Sequence, residues 1–206
     1  MRARCFDYAQ HDRYTISTYM KTNLFPALRM TLAMLVLCCV IYPAIVWAVA
    51  QVAPGRGEGV QLSQKGRVVG FANVGQKFSR PDYFNTRPSA VNYNAQGSGG
   101  SNKGPSNPEY LATVKVRLDT LLLLNPGLTA AQVPAELITA SGSGLDPHLS
   151  PQGALVQVAR VAKARGLTPA RLTELVRSTT TGGVLAPQTV NVLQLNLALD
   201  ALAKPR

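Results

Sequence analysis

Cysteine, histidine and acid are scarce in this chain, and each shortage removes a class of chemistry. The cysteines are Cys5, Cys38 and Cys39. None follows residue 50, so the long C-terminal part can form neither a disulfide nor a thiolate metal site. A cysteine-free domain is compatible with an oxidising space outside a membrane. The histidines are His11 and His148, and no metal motif surrounds either. Eight acids follow residue 50, dispersed, with no visible pair for acid–base work. No G-x-S-x-G elbow is present. No basic run stands beside an aromatic platform, which argues against nucleic acid as a partner.

What charge there is has one sign. The 206 residues carry a net +11. The first 30 hold five basic and two acidic groups, net +3, and the rest sixteen and eight, net +8. Such a balance suits anionic lipid or an acidic partner protein and makes a poor general trap for cations.

Charge is missing altogether from Met30–Ala50, MTLAMLVLCCVIYPAIVWAVA. Twenty residues of helix rise about 30 Å, the thickness of a bilayer's hydrocarbon core. In lipid every backbone group must be paired within the segment, which dictates a helix. Tyr42 and Trp47 sit toward the far end, where amphipathic rings favour the headgroup level, and Pro43 is expected to kink the helix. The competing reading is a buried core helix of a soluble protein. Ala48-Val49-Ala50 also has the small-x-small form of a signal-peptidase site, but the run exceeds the usual 7–15 residues, which favours an uncleaved anchor. Lys/Arg counts within twenty residues tie: Arg13, Lys21 and Arg29 against Arg56, Lys65 and Arg67. Nearest the span, Lys21 and Arg29 outweigh Arg56, which places the N-terminus in the cytoplasm.

Four segments follow: 1–29 cytoplasmic, 30–50 transmembrane, 51–59 a hinge rich in Gly and Pro, and 60–206 one extracytoplasmic domain. Residues 1–19 match no pattern and are expected to be disordered, with translation beginning at Met20. Val60–Leu62 and Arg67–Ala72 flank a turn at Lys65-Gly66 and read as a hairpin. Gly75–Gly104 is thirty residues without periodicity, a functional loop anchored by Tyr83, Phe84 and Tyr93. Asn107-Pro108 opens a helix, with Ser106 and Glu109 as a capping box. Its apolar stripe is Leu111, Val114, Leu118, Leu121 and Leu122, and Asn125-Pro126-Gly127 ends it. Glu136–Ala140 is a candidate strand and Ser141–Pro147 a turn. Ser150 caps a helix burying Leu155, Val158, Ala159 and Ala162, which stops at Gly166. Thr168-Pro169 opens another, with Leu172, Leu175 and Val176 inward. Thr179–Pro187 reads as loop. Val190–Ala203 fits alternation and helical spacing alike, and its Leu, Ala and Gln favour helix. The fold class is α+β: one membrane helix, then a mainly helical domain with a small antiparallel sheet.

Two motifs touch on chemistry. Gly97–Gly104 looks like a phosphate cradle, yet Asn102 stands where a P-loop has its second Gly, and Gly104 replaces the metal-binding hydroxyl. Ser141–Pro147 places two serines and Asp146 beside His148, the raw material of a serine hydrolase or of a tight turn capped by Asp146 or Ser150.

The runs Gly75-Gln-Lys-Phe, Tyr83-Phe, Arg87-Pro-Ser-Ala, Ser98-Gly-Gly-Ser-Asn, Asn107-Pro, Thr139-Ala-Ser-Gly-Ser-Gly-Leu-Asp-Pro, Gln157-Val-Ala-Arg-Val-Ala-Lys-Ala-Arg and Val190-Asn-Val-Leu-Gln-Leu-Asn-Leu-Ala-Leu-Asp occur in this order. Together they closely resemble the C chain of the potassium-transporting Kdp ATPase, from about Leu24 to Lys204. The first 19 residues and Lys103 depart from that pattern. The resemblance implies a non-catalytic accessory subunit in a bacterial inner membrane. Its implied partners are a channel-like potassium subunit, a P-type ATPase subunit and a small membrane peptide. It implies a catalytic chaperone that raises the pump's affinity for ATP, and also a domain over the outer mouth of the potassium subunit. These two roles conflict physically, because ATP is hydrolysed inside. No cofactor is expected to be held firmly, and ATP only in complex with the ATPase subunit. The expected partner surface comprises Gln76, Arg87, Ser89, Tyr93, Ser101, Asn102, Ser141, Asp146 and His148, with Arg87 a fork able to grip a partner carboxylate or a row of carbonyls, or else to brace the loop internally. The rival readings are an envelope serine hydrolase and an anchored module that binds envelope polymers.

Overall fold

A computed structural model describes residues 22–53 and 55–202. The expected start at Met20, the extension 1–19, Lys21, Pro54 of the hinge and Ala203 of the last helix lie outside the described residues. The chain divides into two compact units between Glu58 and Gly59.

Among its described residues the first unit holds one helix, α1, Thr22–Val52, longer at both ends than the uncharged stretch. All its side chains from Thr22 to Val49 are exposed. An apolar helix exposed all round does not belong to a soluble core, so that competing reading falls. It fits a single-pass membrane segment. Where a kink was expected, Leu37–Ile41 wind as a π turn, and Tyr42 N–H reaches back to Leu37 O. The proline ring clashes with the carbonyl four residues back, and an added residue in the preceding turn relieves that contact. After Val52 the hinge turns repeatedly: Gly55, Arg56, Gly57 and Gly59 all have positive φ.

The second unit opens with a hairpin, β1 (Gln61–Gln64) and β2 (Arg67–Phe71), with a bulge at Leu62/Ser63. Lys65 (φ 50°) and Gly66 (φ 77°) make the turn that a two-residue hairpin demands. Then α2 runs over Pro108–Leu124. Its cap is Asn107, whose Oδ1 accepts from Tyr110 N at 3.0 Å. The expected capping box is absent, because Glu109 turns to Lys103 at 2.6 Å. Val114, Leu118, Leu121 and Leu122 are half-buried as expected, but Leu111 is 51% exposed. The expected strand at Glu136–Ala140 is a 3-10 turn, Ala135–Leu137. Pro134 favours the turn, and Glu136 is drawn to Ser150, accepting from its Oγ at 2.6 Å and its N at 3.0 Å.

The single helix expected after Ser150 is two, α3 (Pro151–Leu155) and α4 (Val158–Arg165). Ser150 Oγ caps the first through Gly153 N, and Gly166 at φ 65° ends the second. The break turns Leu155 and Ala159 outward and brings Gln157 and Arg160 inward. Next comes α5, Pro169–Ser178, with Thr168 as its cap. A three-stranded antiparallel sheet joins β3 (His148–Leu149), β5 (Thr189–Asn191) and β4 (Thr180–Thr181), with β5 central. Thr180–Thr181 lies in the stretch expected to be loop, and β5 takes the start of the expected last helix, leaving α6 as Val192–Leu202. Asn191 makes the switch: its Oδ1 accepts from Gln194 N while its Nδ2 donates to Ala72 O. The core is Phe84, Leu149, Val161, Leu172, Val176, Val190, Val192, Leu195 and Leu199, each at most 1% exposed.

Candidate functional site

The segment 75–104 holds no helix or strand, yet it is an ordered part of the second unit. Its first half is fastened by side chains. Phe84 is fully buried, and its N–H and C=O both bond to the Asn196 amide at 2.9 Å. Gln157 repeats this with Asn85, accepting from its N at 2.8 Å and donating to its O at 3.2 Å. Arg160 donates to the carbonyls of Pro81 and Tyr83, to Asn125 Oδ1 and to Gln157 Oε1. No salt bridge reaches Arg160 among the described residues, so neutral acceptors hold its charge. Burial pushes its guanidinium below the ordinary value, opposed by Asp82.

Beside it, Arg165 joins Asp200 at 2.8 Å and lies 4.5 Å over the Tyr83 ring, whose hydroxyl meets Asp200 at 3.0 Å. Burial would raise the Asp82 carboxyl. The hydrogen bond from Arg80, the backbone and the nearby Arg165 charge outweigh it and hold it below the usual range.

The loop also lies on the 141–148 turn, through its first residue, through Arg87 and through its second half. Gly75 N–H donates to Leu145 O at 2.6 Å and Gly99 N–H to Ser143 O at 2.9 Å. Gly144 (φ 68°) is pressed so close that a Cβ there would sit 2.8 Å from Gly99 O. Arg87 Nη1 meets Asp146 Oδ2 at 3.0 Å across this junction. Asp146 Oδ1 accepts from His148 N at 3.0 Å, an internal tie rather than a helix cap. Tyr93 OH donates to Arg87 O and Thr86 Oγ1 donates to Gln76 O, while Ser89 Oγ accepts from the amides of Val91 and Tyr93. Gln76 Nε2 reaches Val69 O at 3.0 Å.

Of the nine residues expected on a partner surface, the structure thus gathers Gln76, Arg87, Ser89, Tyr93, Ser141, Asp146 and His148 into one junction. Ser101 and Asn102 stand apart, exposed, on the outer turn of the loop. Arg87 has a carboxylate in its own chain. Its Nε is buried without a partner, so the fork is only partly used. Arg87→Ala is therefore expected to lower the melting temperature by about 3–6 °C. That follows from about 1.5 kcal/mol for a charge-assisted hydrogen bond, at about 2–4 °C per kcal/mol for a domain of this size. An unmoved melting curve would show that the pair braces nothing.

The catalytic readings fare poorly in geometry. Ser143 Oγ accepts from Leu145 N and lies 3.5 Å from Ser141 Oγ. His148 Nδ1 faces Asp146 at 3.5 Å, and among the described residues no hydrogen bond joins either serine to it. Gly97–Gly104 directs the amide of Gly99 inward, at Ser143 O. Among the described residues no three His, Cys, Asp or Glu side chains group to hold a metal. Arg160, Gln157 and Asn196, which organise the loop, were missed at the sequence level. Their signal was faint: polar residues at otherwise apolar helical positions.

A family model described as "K+-transporting ATPase, c chain" (KdpC) matches residues 24–201. Three curated proteins, each called potassium-transporting ATPase KdpC subunit, illustrate the relatives. The Flavobacterium johnsoniae protein is 54% identical over 180 residues, covering 87% of this chain and 98% of its own length. The Bacteroides thetaiotaomicron protein is 49% identical over 187 residues, covering 88% and 98%. The Geobacter sulfurreducens protein is 46% identical over 188 residues, covering 87% and 98%.

Proposed function

Because this chain belongs to the KdpC family, the C chains of the K+-transporting ATPase, we propose that it is the non-catalytic accessory subunit of that potassium uptake pump. In this reading α1 anchors the chain in the membrane, and residues 60–206 lie on the extracytoplasmic side, as the basic flank of the span suggests. The partners are the channel-like potassium subunit, the P-type ATPase subunit and the small membrane peptide. The observation that carries the non-catalytic part is the geometry of the serines: Ser143 Oγ accepts from Leu145 N and lies against Ser141 Oγ, and among the described residues no hydrogen bond joins either hydroxyl to His148. A nucleophile needs its base within hydrogen-bond reach.

The surface built on 75–104 and 141–148 suits a docking role. Its backbone is held rigid from within, while Tyr93, Ser101 and Asn102 offer ring area and adaptable hydrogen bonds. A rigid docking surface loses little freedom on binding. Raising the ATP affinity of the catalytic subunit is then an effect transmitted through the complex, with ATP held there only in company with that subunit.

Two measurements test this. Purification in mild detergent should bring down the potassium and ATPase subunits with the chain, and a reporter active only in the cytoplasm, fused after Arg206, should be silent. An active reporter would refute the topology. Ser143→Ala and His148→Ala should leave potassium-dependent ATP hydrolysis by the assembled complex within about twofold, because neither group faces a reacting atom. An assembled complex that loses all turnover with either change would return the site to catalysis.

A further inference from the structure

The middle of α1 carries backbone carbonyls that the helix leaves unpaired. Tyr42 N–H bonds to Leu37 O. The α-helical turn beginning at Tyr42 has Ile41 as its N-cap, so Ile41 O receives the Ile45 amide. The carbonyls of Cys38, Cys39 and Val40 lie between these two bonds. Only residues 43 and 44 stand between the two donors, and Pro43 has no N–H. One amide therefore serves three carbonyls, and two are left over. One shortfall comes from the proline and one from the added residue of the π turn. The nearest described hydroxyl bond does not help, because Thr31 Oγ1 donates to Ala27 O.

Val40 is the midpoint of the uncharged stretch Met30–Ala50, with about 15 Å of helix on either side. Water does not reach that depth, and lipid tails have no donors. Irregular backbone there is tolerated only where protein covers it. A second copy of this chain is a poorer cover, because near that level it offers a single hydroxyl, that of Tyr42. Next to the bulge, Met30, Thr31, Met34, Leu35, Cys38 and Cys39 line a shallow groove of soft and small side chains. Such surfaces let a neighbouring helix approach closely.

We propose that the bulge at Leu37–Ile41 is a seat for a transmembrane helix of the pump's membrane subunits, one that brings a hydroxyl or amide side chain to the Cys38–Val40 carbonyls. This rests on the accessory-subunit reading. It gives the helix a task beyond anchoring: it fixes the depth at which the subunits meet.

The test uses the full chain in the assembled pump, with the photo-crosslinking residue p-benzoylphenylalanine in place of Leu35. Irradiation should capture one membrane subunit, and the captured peptide should hold a Ser, Thr, Asn, Gln or Tyr near mid-span. Changing that donor to Ala should lower retention of this chain in detergent about three- to tenfold, as loss of one interhelical hydrogen bond implies. In a Pro43→Ala chain, where an amide is returned to the helix, the same donor change should cost less. Capture of lipid alone, of a second copy, or of a peptide without a donor overturns the seat, and so does a donor change that leaves retention unaltered. If the pump subunits fail to co-purify with the unaltered chain, the accessory-subunit reading itself falls and takes the seat with it. If they do co-purify and the capture fails, the seat alone falls.

Discussion

Arg160→Met is expected to destabilise the domain by about 3–5 kcal/mol, measured as the shift of the urea midpoint for the full chain in mild detergent. Methionine keeps the bulk and removes the five donors. Arg160 is 8% exposed, and of the acceptors it abandons Asn125 and Gln157 are buried while the carbonyls of Pro81 and Tyr83 are part-buried. Asn125 and Gln157 can turn their amides, but the carbonyls of Pro81 and Tyr83 belong to the backbone and cannot. Each buried group left unpaired costs about 1–3 kcal/mol. Arg160→Lys should recover only part of the loss, because one ammonium cannot span four acceptors set around a planar fork. A midpoint shift below about 1 kcal/mol would mean that the loop 80–87 holds its shape without this residue.

Asn196→Leu is expected to cost about 2–5 kcal/mol in the same measurement. The two side chains have the same branching and number of heavy atoms, so the change removes the hydrogen bonds while adding some bulk in leucine's methyl groups. Asn196 is 2% exposed, and its amide pairs with both the N–H and the C=O of Phe84. Leucine leaves both backbone groups orphaned in the core, at about 1–3 kcal/mol each. The fully buried Phe84 ring is held by the same backbone, so the damage should spread along the loop. Limited proteolysis of Asn196→Leu should therefore cut within 75–104 at protease levels that spare the unaltered chain. Cutting that begins elsewhere would show that the ladder does not control the loop.

These two residues explain why a thirty-residue stretch without periodicity is ordered. It makes almost no regular backbone pairs, so helices from the far end of the sequence supply the partners. Asn196 and Phe84 lie 112 positions apart, Arg160 and Tyr83 77. Closing such separations costs chain entropy, which burial of Phe84 and the charge-assisted bonds of Arg160 oppose. The seven gathered residues, of which Ser141 is buried and the others half-buried, are carried on this frame, so their positions are set by residues none of them touches in sequence.

The sequence by itself determined whatever depends on neighbours a few residues apart. The long apolar helix, which fits a membrane span, follows from 21 uncharged residues. The hairpin follows from Lys65-Gly66, and the helix starts follow from Asn107, Ser150 and Thr168, each beside a proline. Each is a local energy written in adjacent side chains. Only the tertiary structure decided the rest. It split the helix after Ser150, because Gln157 turns inward to serve Asn85. It took Glu136 out of a strand to serve Ser150, and it divided Val190–Ala203 between a strand and a helix. It gave Arg87 to Asp146, 59 residues away, where the sequence left an internal brace and a partner's carboxylate both open. In each case a buried polar group had to find a partner, and which partner was near depended on how the whole chain packed.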